Sequence, residues 1–124
     1  MQEPWKDDQP IYRQLHDKIL ALILSGALKE GEALPSVRQV ASDYQINHLT
    51  VGKAYQELVD AGLVEKRRGI GMFVVSGAQQ QVAASEREKF ISLELPNLIA
   101  KARQLGIREA ELTKAIRQMM KENT

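Results

Sequence analysis

Three residues, Gln45-Ile46-Asn47, separate two stretches whose apolar side chains recur at helical spacing. So short a connection forces two consecutive helices to turn sharply against each other. Before the turn, Val37, Val40, Ala41 and Tyr44 supply one apolar side. After it, Val51, Ala54, Tyr55, Leu58 and Val59 supply the other. Each stretch opens on a capping residue. Ser36 precedes the first, with Gln39 three residues later in a capping-box pattern, and Asn47 precedes the second. A helix-turn-helix is the frame around which the rest of the chain must be arranged.

Upstream of it, Ile11, Leu15, Ile19, Leu22 and Ile23 predict an amphipathic helix from about Ile11 to Leu24, stopped by Gly26 as a left-handed cap. Residues 1–9 are polar and read as loose, and Lys29 to Glu32 as a polar turn. Downstream, Gly62 ends the third helix and Leu63-Val64 begins a strand. Arg67-Arg68-Gly69-Ile70-Gly71 is a turn, and Met72 to Val75 returns as a second strand. The expected fold is mainly α with a small β-hairpin, a winged helix-turn-helix over residues 10–76.

Residues 77–85 read as a linker, and residues 86–122 as a two-helix C-terminal region. There, Ile91, Leu95, Leu98, Ala102 and Leu105 alternate by four and three in a heptad-like stripe. Pro96 lies inside the stripe and predicts a kink or a break. Gly106 ends that helix, and Ile107 to Lys121 forms the last one, with Leu112, Ala115, Ile116 and Met119 inward. Two helices are too few to bury the stripe by themselves, so the region is expected to dimerise, with the stripe as the contact.

Charge narrows the function. The 124 residues carry a net +1, but residues 1–78 hold nine Lys/Arg against ten Asp/Glu, and residues 79–124 hold eight against six. The winged domain is therefore not basic overall, and a polyanion would have to be met by a local face. Lys66-Arg67-Arg68 is such a concentration. The chain has no cysteine, which excludes thiol catalysis, disulfides and thiolate metal sites. Its two histidines, His16 and His48, lie on different elements, and no phosphate-binding glycine loop is present. No enzyme, catalytic residue, metal site or cofactor is expected. No apolar run approaches the roughly 18 residues that span a bilayer, and residues 1–8 are too polar for a signal peptide. A cytoplasmic protein without membrane contact is expected.

A helix-turn-helix presents the first turns of its second helix to the DNA major groove. With Val51, Tyr55 and Leu58 turned inward, His48, Leu49, Gly52, Lys53 and Gln56 are left open. Asn47 and Thr50 lie at the helix start, where amides and hydroxyls suit phosphate oxygens. His48 and Lys53 offer donors, and Gly52 permits close approach of the backbone. Arg67 and Arg68, at a hairpin tip with Gly69, can reach a phosphate or a minor groove. Each residue also has a plainer reading. Ser36 and Asn47 cap helices wherever they occur, Arg38 and Lys53 suit any solvated surface, and hairpin tips are usually polar. His16 reads as an exposed helix residue without a role. The element order and the residues together favour double-stranded DNA. The alternative is a winged helix used for protein–protein contact without specific DNA binding.

These residues also carry a resemblance. Leu34-Pro35-Ser36-Val37-Arg38-Gln39-Val40-Ala41 resembles the start of the GntR-family motif. Asn47 to Val51, Ala54-Tyr55, Leu58 and Gly62-Leu63-Val64 continue it. Arg68 to Val74 resembles the family's wing, and Pro10-Ile11-Tyr12 its first helix start. The resemblance covers about residues 10–75. It implies DNA contacts from Ser36, Arg38, Thr50, Arg68 and Gly69. The tail, with Ala102-Arg103-Gln104-Leu105-Gly106-Ile107, resembles the YtrA subfamily. That likeness implies a homodimer, and a repressor of a transporter or similar operon that binds a palindromic operator. It names no small-molecule effector. Three positions depart from the family pattern. Asn47-His48 stands where Ser-Arg or Asn-Arg is usual, Gly52 where a larger polar or basic residue is common, and Arg108 where Ser often caps the last helix.

Overall fold

Leu15, Ile19 and Ile23 recur every fourth residue and are all buried, which sets the inner face of α1 (Ile11–Ser25). Gly26 ends this helix in the left-handed region at φ 84°, and its N–H returns to the Ile23 carbonyl. The chain is described here from a computed structural model that covers residues 5–123. It divides into two units, Met1–Ala84 and Ser85–Thr124.

In the first unit, α2 (Val37–Tyr44) and α3 (His48–Asp60) form the helix-turn-helix. The Ser36 hydroxyl accepts the Gln39 N–H at 3.1 Å. The reciprocal half of the capping box is not made, because the Gln39 side chain turns forward to Asp43 at 2.8 Å. Gln45 closes α2 with a positive φ of 54°, which lets the chain reverse within the three-residue turn. Asn47 then caps α3, its side-chain oxygen accepting the Leu49 N–H at 2.8 Å. Val51, Ala54, Tyr55 and Leu58 are buried along α3 and meet the inner faces of α1 and α2 in one core with Leu34 and Val40.

The wing is β1 (Val64–Arg67) paired antiparallel with β2 (Gly71–Val74), in the register Val64 to Val74 and Arg67 to Gly71. The connection before α2 runs along the free edge of β2. Gly31 N–H reaches the Val74 carbonyl, Val74 N–H the Glu32 carbonyl, and Leu34 N–H the Met72 carbonyl. The wing is thus tied to the segment that leads into the helix-turn-helix.

Three expectations change in this unit. Residues 77–85 are not a linker: α4 (Ala78–Lys89) begins there. Ala78 and Val82, one turn apart, are buried in the core. Gln79 donates to the Leu24 carbonyl at 3.0 Å and Gln81 to the Ala61 carbonyl at 2.9 Å, where α1 and α3 end. The stretch before α1 is not loose either. Trp5 packs on the core, edge-on to Tyr44 with ring centroids 5.7 Å apart, and Lys6 exchanges two hydrogen bonds with the Gln14 side chain. Residues 1–4 lie outside the described residues. His16 is half-buried rather than exposed, with its ring 3.0 Å from Asp17.

The second unit holds α5 (Leu95–Gln104) and α6 (Glu109–Glu122). Phe90–Glu94 is a π-helical turn leading into α5, with the Leu95 N–H reaching back to the Phe90 carbonyl. Pro96 is the physical reason. A wider turn relieves the pressure of its ring on the carbonyl four residues earlier, so the helix widens there instead of breaking. The inward assignment of the last helix fails within this single chain. α6 has no buried residue, Leu112 and Ala115 are half-buried, and Ile116 and Met119 are exposed. A groove of about 410 Å³ between α5 and α6 is lined by Leu95, Leu98, Ala102, Ile107, Leu112 and Ile116.

Candidate nucleic-acid interface

The helix-turn-helix is locked by a side chain that sequence patterning assigns only to the core. The Tyr55 hydroxyl donates to the Pro35 carbonyl oxygen at 2.6 Å, anchoring the residue before the α2 cap to the middle of α3. Burial, with a smaller contribution from Tyr44, pushes the Tyr55 pKa up to about 12.

From that anchor, Ser36 and Arg38 stand exposed at the start of α2. Ser36 Oγ is already an acceptor for Gln39, and its O–H remains able to donate. His48 is exposed at the first position of α3, and Thr50 is half-buried beside it. Among the described residues, the side chains of Arg38, His48, Lys66 and Arg68 make no hydrogen bond or ion pair within the chain.

Two of the candidate cations are held by the fold. Lys53 Nζ sits 3.8 Å from the centroid of the Tyr12 ring, a cation–π contact that draws its charge toward α1. Arg67 bonds Glu65 through two nitrogens, at 2.9 and 3.0 Å, and its guanidinium lies 4.2 Å from the Phe73 ring centroid. Arg68 has no such tether and is exposed at the tip. Gly69 follows at φ 77°, a conformation that a side chain disfavours.

The start of α2 and the wing tip face one groove of about 400 Å³, lined by Pro35, Ser36, Val37, Lys66, Gly69 and Ile70 among others. The fold therefore brings the Ser36 end of α2 and the Gly69 end of the wing together. The tail residues belong to the other unit, where Ile91, Leu98 and Leu105 are exposed, Leu95 is half-buried and Ala102 is buried. No group of three or more His, Cys, Asp or Glu among the described residues is placed to hold a metal ion. Among the described residues, no helix is long and apolar enough to cross a membrane.

Two features of the site are not among the candidate contacts read from sequence. Leu49 is 70% exposed at the second position of α3. A salt bridge of 2.8 Å joins Arg13 of α1 to Glu57 of α3. Burial opposes the Arg13 charge, but Glu57 and Tyr12 outweigh it and raise its pKa. Helical periodicity marks Leu49 as open; nothing in the sequence pairs Arg13 with Glu57.

Comparison with known proteins agrees with this geometry. Residues 11–74 match the family "Bacterial regulatory proteins, gntR family". The chain is 32% identical over 114 residues to the HTH-type transcriptional repressor YtrA of Bacillus subtilis, covering 92% of this chain and 87% of that protein. It superposes on a transcriptional regulator from Oenococcus oeni with a TM-score of 0.81 at 28% identity, covering 95% of this chain and 97% of the other. The DNA-binding domain of AraR, solved in complex with an operator, matches at a TM-score of 0.53 and 26% identity over 60% of this chain and 94% of that one. The chain belongs to the GntR family of bacterial regulatory proteins, in its YtrA subfamily, and is a DNA-binding regulator of transcription rather than an enzyme.

Proposed function

We propose that the protein is a homodimeric, cytoplasmic repressor that binds a two-fold symmetric operator and controls a transporter or similar operon. Residues 10–76 of each copy read one half-site, and residues 86–122 join the copies. The observation that carries the dimer is the uncovered apolar stripe of the tail. Ile91, Leu98 and Leu105 are 55%, 47% and 65% exposed in the single chain, and a second copy would remove them from water. Such a dimer has two-fold symmetry, which calls for two-fold symmetry in the bound DNA. Repression is supported by the similarity to the Bacillus subtilis repressor.

In this reading the start of α3 enters the major groove, with Asn47, His48 and Thr50 at its leading end and Lys53 on its open face. Ser36 and Arg38 contact the DNA backbone and groove. Arg68 and Gly69 contact DNA from the wing, while Arg67 shapes the wing more than it reaches out, because Glu65 and Phe73 already hold it. The test is selection of bound duplexes from a random-sequence library at stated salt, with the mass measured by light scattering. A two-fold motif and a dimer mass support the reading. Binding that does not weaken as salt rises would overturn it in favour of a protein-contact module.

A further inference from the structure

We infer that Leu49 reads the C5-methyl group of a thymine in the major groove, and that Gly52 makes this possible by leaving the helix face beside it bare. This rests on the DNA-reading role of α3 proposed above. A single exposed leucine is ordinary on a protein surface; what sets this one apart is its surroundings. Leu49 lies one helical turn before Gly52 and Lys53 on the same open face of α3. A Cβ built on Gly52 meets nothing within 4 Å, so the glycine is not required by packing. Its effect is to remove the side chain that would otherwise project beside Leu49. The leucine therefore stands proud of the helix at its leading end.

Its neighbours restrict what can cover it. His48 precedes it and is exposed without a side-chain partner among the described residues, and Lys53 follows one turn later. An apolar partner surface of any size would have to desolvate these polar groups. A polyanion carrying one small apolar group would not. In the major groove of B-DNA the base edges offer donors, acceptors and a single kind of apolar group, the thymine methyl. The leucine and the methyl are thus the complementary pair, with the exposed His48 imidazole beside it able to meet polar groups around the methyl.

The test uses the full-length protein and a duplex enriched from a random-sequence library. Each thymine is replaced in turn by deoxyuridine, which removes the methyl and keeps the base-pairing edge. The expected result is one thymine per half-site at which the replacement weakens wild-type binding by about three- to fivefold, the effect of one buried methyl. In Leu49→Ala, whose fold is checked by circular dichroism, that loss disappears while other positions respond as before. The inference is overturned if no thymine responds, or if the loss at the responding thymine is the same in Leu49→Ala. In either case, tight and sequence-selective binding by the wild type would leave the DNA-reading role intact. Failure to enrich any duplex would remove both.

Discussion

The Tyr55 hydroxyl on α3 bonds the Pro35 carbonyl twenty residues earlier, at 2.6 Å and with Tyr55 only 2% exposed. One oxygen therefore joins the middle of α3 to the residue before the α2 cap. Leu34 is held to β2 through the Met72 carbonyl, so the same short segment also fixes the wing. The relative placement of Ser36, Arg38 and Arg68 depends on this junction.

Tyr55→Phe keeps the ring and removes the bond to the Pro35 carbonyl. It is expected to lower stability by about 0.5–1.5 kcal/mol, read from urea unfolding at neutral pH. The pH dependence has a definite sign. The folded Tyr55 pKa of about 12 lies above the ordinary value of 10, so the neutral hydroxyl is favoured by the fold. Its contribution is complete below pH 10 and is lost as pH rises from 10 to 12. The wild type is expected to lose stability faster than Tyr55→Phe across that window. Parallel curves would show that Tyr55 is not the titrating group.

Arg13 and Glu57 bridge α1 and α3 while remaining partly open to solvent, at 39% and 31% side-chain exposure. Such a pair contributes little, on the order of 0.5–1 kcal/mol, and less as salt rises. A double-mutant cycle with Arg13→Gln and Glu57→Gln is expected to return a coupling of that size, shrinking between low and high salt. A coupling of several kcal/mol would mean that the pair organises the domain rather than fastening it.

The wing arginines are expected to differ. Arg68→Ala removes an untethered cation and should weaken DNA binding on the order of tenfold and reduce the salt dependence by about one counterion. Arg67→Ala should weaken it less and instead loosen the hairpin, since it loses Glu65 and Phe73 together. Equal losses of affinity from the two variants would contradict this division. Arg38→Ala is expected to behave like Arg68→Ala, with the dimer mass unchanged.

The helix-turn-helix was legible because its signals are local. Ser36 and Asn47 cap the helices where the sequence placed them, and the buried face of α3 follows the 3.6-residue period. What escaped was set by contacts distant in sequence. Residues 77–85 look like a linker by their Ser, Gly and Gln content. Yet Ala and Gln are good helix formers, and Ala78 and Val82 find a core made by residues far upstream. Trp5 is similarly drawn from a polar stretch by Tyr44. In the interface, the exposure of Arg68 is visible in the sequence, but the tether that singles out Arg67 requires knowing that Arg67 and Phe73 come together on the hairpin. The π-helical turn before Pro96 lies between those cases. The proline announces a disturbance, and only the backbone shows that widening, rather than breaking, relieves it.

Leu98 gives the sharpest test of the tail. It lines the α5–α6 groove yet stays 47% exposed in the single chain, so a charge there costs the isolated unit little. Across the proposed two-fold contact the same charge is buried in both copies, losing about 0.7–1.5 kcal/mol of apolar burial per copy, since only the exposed half of the leucine is newly covered, and adding the desolvation of two carboxylates. Leu98→Glu is therefore expected to weaken the dimer by more than about a hundredfold while circular dichroism shows the helices retained. DNA affinity should fall with it, because each monomer then engages one half-site and loses the effective concentration that the second copy supplies. Light scattering across a range of protein concentrations checks this directly. An unchanged dimer mass would place the two-fold contact elsewhere.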